Sequence, residues 1–225
     1  IGSELARYFR AREMTVCCLD VAPYTRISSE ADSTGLTLLE GDVRDSSLID
    51  TLVRHARRVI HLAAVVGVDD YMQRPAEVLD VNIMGTRLVF DACLKHNRPV
   101  LFTSSSEVYG TNTNVLHEDS DRIYGRYTSP RWSYAISKAV GEQYAHALAR
   151  EGLQHVTTRY FNVYGPGLDR PGAGRVVSKF LGCIQEGRPL TLVDGGVAVR
   201  SFCYVDEAID ATAQLALSLG ANDKT

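Results

Sequence analysis

No apolar run in the sequence approaches the roughly 20 residues that span a bilayer, and no signal-peptide pattern opens it. Cysteine is scarce and unevenly placed. The five cysteines, Cys17, Cys18, Cys93, Cys183 and Cys203, are odd in number, lie mostly in apolar runs and include no C-x-x-C spacing. That argues against a disulfide framework and a thiolate metal site, and fits reduced core thiols in a cytoplasmic protein. Neither sign of charge dominates. The net charge of -3 at pH 7 gives no general pull toward nucleic acid or an anionic membrane. Internal repeats and low-complexity tracts are absent too. What remains is 225 residues, 45% hydrophobic and 23% charged. That suits one globular domain with a substantial core and room for a small appendage.

Short apolar runs alternate with amphipathic ones. Ile1–Phe9 is helical in pattern, and Thr15–Asp20 and Leu36–Glu40 read as strands. Residues 46–56 read as a short helix with Asp45 at its N-cap. Arg58–Ala64 reads as a strand and Val65–Arg74 as a loop. Pro75 starts a long helix with Val78, Val81, Met84, Leu88, Val89 and Ala92 near one apolar stripe. Val100–Phe102 ends a buried strand, a helix follows from about Trp132 to Glu151, and Val156–Tyr160 is a further strand. Helices of about Arg175–Glu186 and Glu207–Leu219 close the series. This alternation predicts an α/β fold with a doubly wound parallel sheet. In such a dinucleotide fold a strand and a Gly-rich turn precede the first helix. Here the helical pattern begins at once, so the expectation is a fragment cut just inside that turn, without its first strand.

The stretch from Thr103 to Lys138 carries the chemistry. It opens with Thr103-Ser104-Ser105-Ser106-Glu107-Val108-Tyr109-Gly110 and closes with Tyr134-Ala135-Ile136-Ser137-Lys138. Tyr134 and Lys138 are four apart and share a helix face. A phenol is a poor base at neutral pH, and an ammonium on the same face favours the phenolate and lowers the phenol's pKa. A serine hydroxyl at the strand end could hold a substrate hydroxyl beside that phenolate. The result is a device for taking a proton from an alcohol while a hydride leaves its carbon. The alternative is an exposed Tyr and Lys that share a helix face by chance.

Together these segments resemble the extended short-chain dehydrogenase/reductase family of NAD-dependent nucleotide-sugar epimerases, dehydratases and decarboxylases. The resemblance implies a Rossmann domain over residues 1–160 and the start of a substrate-binding part over 161–225. It implies NAD as cofactor, a nucleotide-sugar substrate, and a homodimer built from two helices per subunit. Gly2 would be the last glycine of the fingerprint, where a side chain would prevent close helix–strand packing; the alternative is a plain helix-start residue. Asp20 would accept from the adenosine ribose hydroxyls and exclude a 2′-phosphate, or else be a turn residue. Asp42 and Val43 would line the adenine pocket. Leu62, Ala63 and Ala64 would let the cofactor approach the backbone, with His61 packed rather than catalytic. Asp69, Asp70 and Tyr71 face substrate in this reading. Asn82 would support the backbone near the site. Asn162, in Arg159-Tyr160-Phe161-Asn162-Val163-Tyr164-Gly165-Pro166, and Arg200 would meet sugar or phosphate oxygens. An exposed structural role is the alternative for Arg200.

The implied first step is oxidation of a sugar carbon, commonly C4. Ser105 and Tyr134 would act on the hydroxyl, and Lys138 would lower the Tyr134 pKa and hold the nicotinamide ribose. Branching chemistry would depend on Ser106 and Glu107 beside Ser105. Ser106-Glu107-Val108-Tyr109-Gly110 resembles UDP-glucuronate decarboxylases, and Pro130-Arg131-Trp132-Ser133-Tyr134-Ala135-Ile136-Ser137-Lys138, Gly165-Pro166-x-Leu168-Asp169 and Asp194-Gly195-Gly196 resemble those of the aminoarabinose type, with Ser105 where that group usually has Thr. There, C4 oxidation yields a β-keto acid that loses carbon dioxide, with Glu107 as acid or base. A nucleotide-sugar 4-epimerase or 4,6-dehydratase is the sister reading, and a non-catalytic NAD-binding regulator the reading from another class.

Overall fold

The structure, a computed structural model, describes residues 1–22, 35–112, 115–167, 172 and 174–219. Helix α1 (Gly2–Arg10) leads to strand β1 (Val16–Asp20), which pairs in parallel with β2 (Leu36–Glu40). Helix α2 (Ser46–His55) is capped by Asp45, which accepts from the Leu48 amide at 3.0 Å. Strand β3 (Val59–His61) is followed by helices α3 (Val68–Gln73) and α4 (Pro75–Lys95), then by β4 (Val100–Ser105). After two 3-10 turns come helix α5 (Ser133–Ala149) and strand β5 (His155–Tyr160). The chain continues through β6 (Asn162–Tyr164), α6 (Val176–Gln185), β7 (Phe202–Tyr204) and α7 (Val205–Ser218).

Every strand pairing is parallel. The main sheet comes in two described pieces, β1–β2 and β3–β4–β5, with no strand hydrogen-bonded between β1 and β3. That break lies where the alternation places a first strand. Strands β6 and β7 pair separately. Among the described residues no helix is long and apolar enough to cross a membrane.

Three details differ from the sequence expectation. Strand β3 stops at His61, leaving Leu62, Ala63 and Ala64 beyond it. The segment 65–74 is not all loop, because Val68–Gln73 makes more than one helical turn ahead of Pro75. On α4 the buried stripe runs through Val78, Asn82, Thr86, Val89, Phe90 and Cys93, while Met84 is half exposed. Two buried polar residues with partners elsewhere turn the helix away from its purely apolar stripe.

Strand β4 is the centre of the packing. Val100, Leu101 and Phe102 are fully buried, and each such side chain contributes roughly 1.5–3 kcal/mol of transfer free energy. The Phe102 ring meets Phe90 edge-on at 5.4 Å and stacks on His61 at 5.8 Å. Buried in this way, His61 has its pKa pushed down to about 3 by burial and then by the Lys138 charge. Its Nε2 lies 2.9 Å from Thr86 Oγ1, so it is the packed histidine expected of it.

Helix α5 lies close on β4 because Gly141 has no side chain. A Cβ there would come within 2.5 Å of Phe102 Cζ. Gly141→Ala is therefore expected to destabilise the protein by about 1–3 kcal/mol through overpacking, against the ~1 kcal/mol that alanine normally gains over glycine in a helix. Urea unfolding checks this, and a stabilised variant would show that the helix can move off the strand.

Candidate active site

The end of β4 and the first turns of α5 form the site. The Ser105 side chain caps the 3-10 turn Ser106–Tyr109 by accepting from the Glu107 amide at 3.2 Å. The Tyr134 phenol lies near enough for this hydroxyl to lower its pKa. One turn along α5, the fully buried Lys138 ammonium donates to the Thr103 carbonyl at 2.8 Å. It also lies 5.0 Å from the Phe102 ring centroid. Ser105, Glu107, Tyr134 and Lys138 thus lie at the end of β4, in the turn after it and in the first turns of α5.

The electrostatics differ from expectation. Burial pushes the Tyr134 phenol up to about 12; the Ser105 hydrogen bond opposes this, the Glu107 charge adds to it, and the Arg175 charge opposes it. Burial is the largest influence on the phenol, while the Lys138 ammonium is held by the Thr103 carbonyl. Burial in turn brings Lys138 down to about 8.

A hydrogen-bonded frame holds this arrangement. Asn82 accepts from the Val65 amide at 2.7 Å and donates to the Val65 carbonyl at 3.1 Å and to Ser137 Oγ at 3.0 Å. It therefore ties the segment after β3 to α5, which is the supporting role expected of it. On the far side, the buried Glu142 carboxylate accepts from Ser104, from Arg122, and from Arg159 Nε at 2.9 Å and Nη2 at 2.7 Å. Burial alone would raise its pKa, but the Arg159 and Ser104 hydrogen bonds and the two guanidinium charges outweigh that and hold it low. Arg159 also donates to the Tyr109 hydroxyl at 2.8 Å, so the frame reaches the turn that carries Glu107.

Sequence reasoning gave no role to Glu142, Arg122 or Arg131, and none to Arg159 beyond its place in the segment. The signal for Glu142 was present: a carboxylate four residues after Lys138, on a helix face otherwise made of Ala, Ser and Gly. Arg131 lies 2.7 Å from Glu107 Oε2 and donates to the Tyr71 hydroxyl at 3.1 Å. Tyr71 is buried and stacks on Tyr134 with ring centroids 6.3 Å apart, so it belongs to the site. Asp69 and Asp70 sit on α3, with Asp70 paired to Arg74.

The remaining expected residues are spread around this centre. Asp20 ends β1, exposed; one oxygen accepts from the Ala22 amide at 3.0 Å, and the other accepts nothing from the described residues. The Asp42 carboxylate is clamped by Arg44, which holds its pKa low. The Val43 side chain is buried against Gly85, where a Cβ would come within 2.4 Å of it, so only its backbone could face a ligand. Gly2 opens α1 beside Leu62, but a Cβ there would meet Leu62 Cδ1 at an ordinary 3.6 Å. Close helix packing therefore does not require glycine at that position. Ala63 is exposed, and Leu62 and Ala64 are half-buried. Ser106 starts the 3-10 turn. Asn162 donates to the Ser201 carbonyl at 2.8 Å. Arg200 is exposed and donates to the Val199 carbonyl; no hydrogen bond or ion pair joins it to Ser105, Tyr134 or Lys138. Leu168, Asp169 and Arg170 lie outside the described residues. No cluster of His, Cys, Asp or Glu among the described residues could hold a metal.

These residues fit a dinucleotide. Lys138 is a buried ammonium with three N–H donors and one acceptor, Thr103, among the described residues. Two donors remain for hydroxyl oxygens such as those of a ribose. Asp20 offers an unengaged carboxylate oxygen at a strand end, where ribose hydroxyls are accepted in such folds.

A parallel α/β sheet with a Ser–Tyr–Lys cluster at a strand end defines a dinucleotide-dependent class that acts on alcohols. The comparison with known proteins names the family: the chain belongs to the NAD dependent epimerase/dehydratase family, whose profile matches residues 1–224. It is 36% identical over 214 residues to a UDP-N-acetyl-alpha-D-glucosaminuronate decarboxylase from Bacillus cytotoxicus, covering 94% of this chain and 66% of that relative. The chain thus spans just under two thirds of that protein's length. The PbgP3 protein from Burkholderia pseudomallei has a similar structure, with TM-score 0.87, 29% identity and coverage of 97% of this chain and 68% of that one. The UDP-glucuronic acid 4-epimerase from Bacillus cereus, solved with UDP-glucuronic acid and NAD, gives TM-score 0.80, 27% identity and coverage of 95% and 68%.

Burial of Lys138 predicts a pH signature. Its folded value of about 8 lies below the ordinary 10.5, so between these values the unfolded chain binds more protons than the folded one. Stability from this group therefore rises with pH from about 8. Denaturant midpoints of the unmodified protein should gain on those of Lys138→Met between about pH 8 and 10. Parallel curves would show that Lys138 titrates normally.

Proposed function

We propose that the full-length protein is an NAD-dependent nucleotide-sugar enzyme that oxidises the sugar at C4 and then decarboxylates a uronate such as UDP-glucuronate. The observation that carries this reading is the placing of Ser105 at the end of β4, with the Tyr134 phenol near enough for its hydroxyl to lower the phenol's pKa and Glu107 in the next turn. Ser105 and Tyr134 hold the C4 hydroxyl, and Tyr134 takes its proton. Lys138 holds the ribose beside them with its remaining donors. NAD, when bound, supplies the acceptor for the hydride that leaves C4. Oxidation at C4 places a carbonyl β to the C6 carboxylate, the arrangement from which carbon dioxide departs readily. Glu107, in the turn after Ser105 and paired with Arg131, returns a proton at C5. The similarity to the decarboxylase from Bacillus cytotoxicus supports the loss of carbon dioxide in this reading.

The 4-epimerase reading draws on the Bacillus cereus neighbour, whose reaction needs the same first step and no loss of carbon. In either case Gly2, Asp20, Asp42, the Val43 backbone and Leu62–Ala64 are assigned to NAD, and Ser106, Asn162 and Arg200 to the nucleotide sugar. Residues 161–225 begin the substrate-binding part, and a homodimer through α4 and α5 completes the assembly.

Tyr134→Phe removes the proton acceptor and is expected to slow NADH formation by about 10²–10⁴-fold in a single turnover with UDP-glucuronate. Glu107→Gln should still form NADH in that turnover but release little carbon dioxide, because the step after oxidation stalls. Equal loss of NADH formation in both variants would place Glu107 in the first step and remove the basis for separating the two stages.

A further inference from the structure

Arg131 is a guanidinium spent on one side only. Its Nη1 serves both Glu107 Oε2, at 2.7 Å, and the Tyr71 hydroxyl, at 3.1 Å. Its guanidinium carbon lies 5.2 Å from the Tyr71 ring centroid and 5.4 Å from that of Trp132. These contacts fix the guanidinium beside the Tyr71–Tyr134 stack. Its Nε and Nη2 make no hydrogen bond to any described residue. The Arg131 side chain is 38% exposed and that of Glu107 35%, so both remain within reach of solvent.

The unused pair matters because of its shape. A guanidinium binds a carboxylate best through two parallel N–H donors, and Nε with Nη2 is such an edge. Nη1 already holds one carboxylate, that of Glu107. A second anion brought close to Glu107 would be repelled unless a cation lay beside both, and Arg131 supplies that cation. An ion pair this exposed contributes only about 0–1 kcal/mol to folding, so the pair matters little for stability.

We propose that Arg131 is a specificity-determining residue whose Nε/Nη2 edge receives the C6 carboxylate of a uronate nucleotide sugar. The inference rests on the reading of this cleft as a nucleotide-sugar site. It gives Arg131 two tasks: holding Glu107 through Nη1, and distinguishing a carboxylate from a neutral hydroxymethyl group at C6.

The test is calorimetric binding to the full-length protein loaded with NADH, in which the sugar cannot be oxidised. The two probes are UDP-glucuronate and UDP-glucose, which differ only at C6. The unmodified protein should bind the uronate more tightly. Arg131→Met should weaken UDP-glucuronate by about 10- to 100-fold, the range expected for a lost charge-assisted hydrogen-bonded pair, and leave UDP-glucose little changed. Arg131→Lys keeps the charge without the two-donor edge and should fall between; it carries the test if the methionine variant does not fold. Equal weakening of both ligands would mean that Arg131 only holds Glu107 and the turn, and would overturn the proposal. An unchanged preference would overturn it too, and would point to another cation such as Arg175. A protein that prefers the uronate through Arg131 yet never releases carbon dioxide would sink the decarboxylase reading while supporting the role given to Arg131.

Discussion

The arrangement depends on one buried contact, the Lys138 ammonium on the Thr103 carbonyl. An unpaired ammonium in this position would cost several kcal/mol, so α5 must dock where β4 presents that oxygen. The neighbouring residues keep the same register. Gly141 admits the Phe102 ring, Glu142 accepts from Ser104, and Tyr134 meets Ser105. Each residue from Phe102 to Ser105 therefore has a partner on one helix. The strand end is placed to within a hydrogen bond, which is the tolerance that proton transfer requires.

The same burial that fixes the geometry works against the chemistry of the free groups. It raises the phenol, which is neutral by default, and lowers the ammonium, which at about 8 still carries its charge at neutral pH. Ser105 is the protein's direct counterweight at the phenol. Around this dry centre the charged side chains divide into two sets. Glu142 with Arg122 and Arg159 is inward and structural, whereas Glu107 with Arg131 is partly exposed and beside the reacting groups. The first set braces the strand end and the turn after it, and the second stands beside Tyr71 and Tyr134.

Local rules made much of this readable in the sequence. The four-residue spacing of Tyr134 and Lys138, the Asp45 cap and the Pro75 helix start each depend on residues close in the chain. So does the alternation that defines the sheet, including the break between β1 and β3. The misread parts depend on distant partners. Met84 faces outward because buried Asn82 and Thr86 find partners on Ser137 and His61. The Tyr134 pKa is set chiefly by burial, which periodicity does not show. Arg131 gained a role only when its partner Tyr71, 60 residues away, was brought beside it.

As proposed, this site oxidises C4 of a nucleotide uronate and so releases C6 as carbon dioxide. The most direct measurement is carbon-13 NMR of the full-length protein with NAD and UDP-glucuronate labelled at C6. The account predicts that the label leaves the sugar as carbon dioxide and bicarbonate, with a UDP-pentose or its 4-keto form left behind. A label that stays on the sugar, whether on unchanged substrate or on a C4 epimer, would contradict it.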